Sequence, residues 1–572
     1  MFALPLAVTL LLGQNDAPAD LILHHGKIVT VDTNFTIHEA LAIRGDRILA
    51  VGSNADVLKT KGEKSRLVNL GGKVVLPGLI DSHTHPTDAS MVEFDHPIPE
   101  MESIADVLNY IEGRVKAVSP GEWVVVRQVF ITRLKEQRYP TRLELDQVAP
   151  DNPVLYATGP DASVNSLALK LSKIDKGFQV TDGGAGHAEK DPATGEPTGI
   201  LRNCTRYVKA TPTGRQPTEA DRIERLQQLF KDYQSVGLTS IIDRNAAPDA
   251  IARYQRLHDA GKLPIRLAIS HQVDSLGPTE NIQKAIRKVA EHPLCKGDAT
   301  LRIIGIKTFL DGGMLTGSAY MREPWGKSQI YAIDDPTYRG LLFIPKDKLA
   351  AIVKTTVEAN LQFTAHSVGD GAVHTLLDVY EVVNRTTPIR ATRPCITHSN
   401  FMSHEAVERC AKLGVAVDIQ PAWLYLDTRT LVAQFGYDRL RYFQPLKSLF
   451  EAGVLAGGGS DHMQKIGSLR SVNPYNPFLA MWTTITRRAK WYDGRLHPEE
   501  ALTREQAIRF YTINNANLMF LEDQTGSLES GKLADLAVLD TDILTCPEDD
   551  IRKTQCLQTY VGGKLLYERK SK

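Results

Sequence analysis

No surplus of charge marks this chain: 67 Lys and Arg are balanced by 67 Asp and Glu, a formal net charge of +0. With no long run of one sign either, it carries no electrostatic footprint for nucleic acid or for an anionic membrane surface. Cysteine is scarce. The six residues Cys204, Cys295, Cys395, Cys410, Cys546 and Cys556 are scattered, and none forms the C-x-x-C spacing of a zinc ribbon or a dithiol redox motif, so buried thiols are expected. Aromatics make up only 7%. The N-terminal apolar segment, Phe2 to Leu12, is too short to cross a bilayer as a helix, and no stable membrane span is expected. It resembles the hydrophobic region of a secretory signal, followed by Ala17-Pro18-Ala19 as a small-x-small cleavage pattern. Residues 1–19 are therefore read as a leader for export to a periplasmic or extracellular space. The absence of a basic residue before the apolar run and the presence of Pro18 keep a cytoplasmic reading open.

What is present falls into two textures. Residues 20–73 and 525–572 hold short alternating strands, ADLILHHGKIVTVD and EALAIRGDRILAVG at one end, DLAVLDTD and QTYVGGKLLYERK at the other. Turn residues such as Gly26, Asp32 and Gly45-Asp46 separate them, as in antiparallel pairs. The two ends together predict one small composite β-sandwich. His24-His25 falls in that region and is read as a pair of solvated turn neighbours.

The middle alternates apolar strands with helices. LTSIIDR, PIRLAISH, LRIIGIKTFLDG, LQFTAHSVGD, RPCITHSN, GVAVDIQP and GVLAGGGSD follow one another, with helical spacing between them in stretches such as GAVHTLLDVYEVVN. Adding VVLPGLIDSHTHP gives eight strand–helix units, which predict parallel pairing and an α/β fold of the (β/α)8 TIM-like barrel type. The barrel is expected over 74–90 and 211–524. Residues 91–210 are too long for a crossover and form an insertion domain shaping the pocket, with WVVVRQV and PVLYATG among its strands.

Nearly every barrel strand ends in a residue able to bind metal or move protons. His83 and His85 close the first, His271 the third, Lys307 and Asp311 the fourth, His366 the fifth, His398 the sixth and Asp461 the eighth. His83 and His85 lie two apart, so on a strand they project from one face. Each residue alone has a plain structural reading: a satisfied core histidine, a snorkelling lysine, a Lys307–Asp311 ion pair, a strand-end cap. Gathered at the carboxyl ends of one barrel, they would surround a single point.

At this level of detail the chain resembles a known family. LPGLIDSHTHP, IKTFLDGG, HSVGDGAV, THSN, GGGSDH and TGSLESGKLADLAVLD look like the amidohydrolase superfamily, and more narrowly its YtcJ-like branch, which includes N-substituted formamide deformylases. GEPTGILRN in the insertion and AIRFYTINNAN near the end fit the same likeness.

The resemblance implies one or two divalent ions, most often zinc. His83, His85 and Asp461 would hold one ion and His366 and His398 a second, with Lys307 as a bridging N6-carboxylysine. It implies hydrolysis of a non-peptide C–N bond, of amide or N-formyl type, by metal-activated hydroxide with Asp461 as proton shuttle. A hydrolase or isomerase acting on another bond, such as that of a dipeptide or lactone, and a non-catalytic metal-binding scaffold are the other readings.

Around that core, Asp370 is expected to cap its helix or orient His366, and His271 and Trp423 to touch a small-molecule substrate, with Asp311 as a further contact. Where relatives carry Asp-Gly-His before Val-Asn-Ser, this chain has TGPDASVNS, leaving Asp161 or Asn165 to fill the space of the missing histidine. A homodimer is common for such folds.

Overall fold

The computed structural model describes residues 17–570 except 128, 212 and 471. Most of the expected leader lies outside the described residues. Ala19 at its end already belongs to a strand, Ala19–His24. No described helix is long and apolar enough to cross a membrane. All six cysteines are free thiols, four of them buried.

Eight parallel strands run in sequence order around one sheet: β1 (Leu79–Thr84), β2 (Leu238–Ala246), β3 (Arg266–Gln272), β4 (Leu301–Phe309), β5 (Gln362–Ser367), β6 (Cys395–His398), β7 (Ala416–Ile419) and β8 (Ala456–Gly458). The sheet closes into a barrel where Thr84 bridges His462 in parallel and the Asp461 N–H donates to the His83 carbonyl at 2.8 Å. The strands are nearly continuous apolar runs because helices cover the outside while side chains fill the inside. Residues from strands and helices share one buried core, with Ile241, Ile269, Ile303, Phe363 and Val417 on the strands and Leu229, Ile286, Ile352 and Leu376 on the helices.

Two further sheets join the chain ends. One has four strands from residues 19–69. The other has six, pairing Val74–Pro77 with Leu536–Leu539 and Lys27–Val29. Leu23, Ile28, Leu41, Val75, Leu536 and Val538 form their common core. The expected boundary at residue 74 shifts accordingly. Val74–Pro77 is a sandwich strand, and Gly78 marks the passage to the barrel. A Cβ on Gly78 would lie 2.1 Å from the Thr239 hydroxyl.

The insertion carries its own five-stranded sheet, including Val124–Arg127 from WVVVRQV and Val154–Ala157 from PVLYATG. Its GEPTGILRN stretch ends in a locking element. The fully buried Arg202 guanidinium donates to the carbonyls of Thr316 and Tyr331 in the long connection after β4. The insertion is thereby fixed over the carboxyl end of the barrel.

Candidate metal centre

The carboxyl ends of the barrel strands bring three donor atoms into a near-equilateral triangle. His83 Nε2 lies 3.2 Å from His85 Nε2 and 3.4 Å from Asp461 Oδ1, and His85 Nε2 lies 3.2 Å from that same oxygen. Donors placed tetrahedrally at 2.0–2.1 Å from one ion stand about 3.3 Å apart. The edges of the triangle match that value, and a proton can satisfy one edge but not three. The residues therefore fit a divalent ion, and among the described residues this is the one cluster of His, Cys, Asp or Glu able to hold one.

Local backbone geometry makes the triangle. His83 is the penultimate residue of β1, with its side chain inward, and His85 follows the strand, leading into the short helix Pro86–Ala89. Asp461 has φ +54° and His398 φ +76°, a left-handed conformation rare for residues with a side chain and concentrated at functional sites. It turns each chain sharply at the strand end, over the barrel mouth. Gly459 allows the approach, since a Cβ there would meet the His83 Cβ at 2.7 Å.

Each ligand is oriented from behind. Asp418 on β7 accepts from His83 Nδ1 at 3.0 Å, and Gln420 Oε1 lies 2.7 Å from His398 Nδ1. Asp243 on β2 lies 3.8 Å from His85 Nδ1 and is itself held by the Tyr254 hydroxyl at 2.8 Å. Such carboxylate and amide partners fix the tautomer and raise ligand basicity. None of Asp418, Asp243 and Gln420 stands out in the sequence as a site residue. Their signal was present, since LTSIIDR and GVAVDIQP also carry polar residues at their strand ends.

Electrostatics favour neutral imidazoles at most positions. Burial lowers His83 and His398 well below the ordinary histidine value, and lowers His366 to about 3. Burial acts the same way on His85, but the Asp243 and Asp461 carboxylates outweigh it and raise its pKa to about 9. The pair that draws a proton to His85 would equally draw a cation. Lys307 is buried beside this group, and burial lowers its pKa to about 8 against the opposing pull of Asp418 and Asp461.

The histidines form a stacked column. The His83 and His398 rings lie 4.9 Å apart and near parallel, His366 meets His398 edge-on at 4.4 Å, and Trp423 covers His398 at 4.7 Å. Together with Lys307 they line a cavity of about 640 Å³. Its remaining wall is largely apolar, with Phe309 at the end of β4, Met314, Leu315 and Phe343 from the connection after it, and Phe130 from the insertion. Of the expected substrate contacts, Trp423 lies in this wall.

The others do not, for definite reasons. On β3, Ser270 points into the barrel, where its hydroxyl meets Arg244 at 3.3 Å. His271, one residue on, points to the opposite face, and its Nδ1 meets the Gln272 carbonyl at 2.6 Å. Asp311 is fully buried, and its two oxygens accept from the N–H groups of Tyr320, Val368 and Gly369 at 2.9 Å each. It makes no ion pair with Lys307; it ties two loops together. Asp370 is the first residue of its helix and not the cap, which is Gly369, and its carboxylate holds the Arg322 N–H at 2.9 Å and not His366.

Asp161 and Asn165 are structural as well. Asp161 accepts from the Asn203 N–H at 2.7 Å and from the Ser318 hydroxyl, joining the insertion to the connection after β4. Asn165 caps the helix Ser166–Ser172, and its amide also meets Val154 N–H and the Ala149 and Asn152 carbonyls. Asn165→Ala is expected to lower stability by about 2 kcal/mol through the lost cap and orphaned partners, while kcat/KM stays within about twofold. A denaturant titration beside steady-state kinetics checks both; a KM change at unchanged stability would return Asn165 to the pocket.

Comparisons with known proteins follow the same outline. The amidohydrolase family profile matches residues 66–567. The N-substituted formamide deformylase of Arthrobacter pascens is 29% identical over 562 residues, spanning 96% of this chain and 98% of that protein. YtcJ of Bacillus subtilis (strain 168) is 25% identical over 92% of this chain and 97% of its own length. Among solved structures, an uncharacterized metal-dependent hydrolase from Pyrococcus horikoshii OT3 superposes with a TM-score of 0.65 at 21% identity, covering 92% of this chain and 99% of its own.

Proposed function

This chain belongs to the amidohydrolase family, and on that premise we propose that it hydrolyses a non-peptide C–N bond, of amide or N-formyl type, with a divalent ion held by His83, His85 and Asp461. The observation that carries the reading is the triangle of donors at 3.2–3.4 Å, open to a cavity of about 640 Å³. The likeness to a formamide deformylase over nearly the whole chain supports the choice of bond. A divalent ion there supplies Lewis acidity and brings the pKa of water down toward neutrality; zinc suits the nitrogen and oxygen donors.

The chain's own groups supply the rest. Asp461 uses Oδ1 in the triangle, and the second carboxylate oxygen, Oδ2, serves as the base. It takes the proton of the attacking water and returns it to the leaving nitrogen, which departs poorly unless protonated. His366 and His398 form a second pair of neutral donors on the same wall. Lys307, with its pKa lowered to about 8, keeps part of its amine neutral near pH 7. That amine can add to carbon dioxide and lose a proton, giving a carbamate between the two donor sets.

The test is a panel of N-formyl amines, N-acyl amines, dipeptides and lactones assayed with zinc-loaded protein. Cleavage of the first two classes at least about tenfold faster than the others is expected, abolished by chelation and restored by zinc. Faster turnover of dipeptides or lactones would assign the site to another bond. Intact-protein mass measured under carbon dioxide reports on Lys307.

A further inference from the structure

The cavity wall contains three charged side chains that no part of the proposed chemistry uses, Asp88, Arg206 and Asp274. Asp88 sits on the short helix after His85 and lines the cavity within an otherwise mostly apolar wall. The residue is exposed. Among the described residues, no hydrogen bond or ion pair engages its carboxylate. Arg127 and Arg222 act on it electrostatically, as do His85 and Asp243, yet neither arginine comes into ion-pair range.

The other charged groups in the wall are already engaged. Arg206 grips Asp182 through two hydrogen bonds of 2.6 and 3.0 Å, and Asp274 holds the Leu276 N–H at 2.9 Å. Lys307, His83, His85 and Asp461 belong to the metal centre. Asp88 is left facing the substrate space, close enough to His85 for its charge to be felt there.

We infer that Asp88 determines specificity by receiving an ammonium or other cationic donor on the substrate. The enzyme would thus act on amides whose amine portion bears a second, positively charged nitrogen. The inference rests on the cavity being the substrate site of the reaction proposed above. An ammonium set against an unpartnered carboxylate gains a charge-assisted hydrogen bond. A substrate carboxylate in the same place would meet like charge, so N-acyl amino acids are disfavoured. The apolar part of the cavity wall, Phe309, Met314, Leu315 and Phe343, would accommodate the methylene tether between the amide and the cation.

The experiment uses three probes of equal length: N-(4-aminobutyl)acetamide, N-pentylacetamide and 5-acetamidopentanoate, with shorter and longer tethers as variants. Dissociation constants are measured by calorimetry, and kcat/KM wherever a probe is cleaved, for zinc-loaded wild type, Asp88→Asn and Asp88→Glu. The ammonium probe is expected to bind wild type about tenfold more tightly than the neutral one, and the anionic probe more weakly than either. Asp88→Asn should erase the ranking with metal content unchanged, and Asp88→Glu should keep it. No ranking in wild type, or a ranking that survives Asp88→Asn, overturns the inference. Ammonium preference without cleavage of any probe, or of their N-formyl counterparts, would refute the C–N reading alone; cleavage without preference would refute Asp88 alone.

Discussion

Replacing His83 with alanine should remove metal and activity together, taking the bound divalent ion below about one tenth of the wild-type content and kcat/KM down by roughly a thousandfold or more. The triangle has three corners, and His83 occupies the one that is buried deepest and held most firmly from behind. Without it, His85 and Asp461 remain as two donors 3.2 Å apart, which attract each other as a hydrogen-bonded ion pair. A proton then competes with the metal on nearly equal terms. Elemental analysis of the purified variant, beside turnover and a thermal melt, separates loss of metal from loss of fold. Full activity in a folded, metal-free His83→Ala protein would dismantle the site. His398→Ala is a useful contrast, because His398 lies outside the triangle and stacks on His83.

The parts of this arrangement legible in the sequence were those with a period or a repeated position. Eight apolar strands alternating with helices gave the barrel, and polar residues recurring at the strand ends gave His83, His85, Lys307, His366, His398 and Asp461. The structure brings the first two and Asp461 into a triangle and places the other three along the same cavity. Val74–Pro77 lies in a different layer from the expected one because an apolar strand reads alike in a sandwich and in a barrel. Only pairing with Leu536–Leu539 distinguishes them, and that partner is far away in sequence.

Asp311, Asp370, Asp161 and Asn165 shared one source of error. Small polar side chains at loop starts serve the backbone as often as a ligand, and here each one accepts from at least one N–H or hydroxyl group. His271 failed on parity, one residue away from the inward face. Asp418 escapes notice for the opposite reason. It lies inside GVAVDIQP, where a carboxylate within an apolar run has no visible partner until β1 and β2 are wrapped around to meet it.

That buried carboxylate carries the second large effect. Asp418 Oδ2 accepts from His83 Nδ1 at 3.0 Å and pairs electrostatically with Arg244, whose Nε lies 3.2 Å away, while Oδ1 accepts from the Ser82 hydroxyl at 2.7 Å and Gln420 Nε2 at 2.8 Å. Asp418 and Arg244 are both fully buried. Arg244 also reaches the Ser82 carbonyl, Ser270 and Gln362, so one guanidinium links β1, β3, β5 and β7 beneath the metal centre. Asp418→Asn turns one acceptor edge into a donor facing other donors and strands the Arg244 charge. A loss of about 3–5 kcal/mol in stability is expected, with metal affinity down by about 10–100-fold. The double variant Asp418→Leu with Arg244→Met separates the two effects. Replacing a buried ion pair by packed apolar groups is often neutral for folding, so stability should return toward wild type. A leucine side chain in place of the carboxylate offers His83 no acceptor, so metal affinity should stay low. Denaturation midpoints and competition against a chelator measure the two quantities independently. If affinity recovers along with stability, the carboxylate acts on the metal only by holding the barrel together, and the orienting bond to His83 contributes nothing of its own.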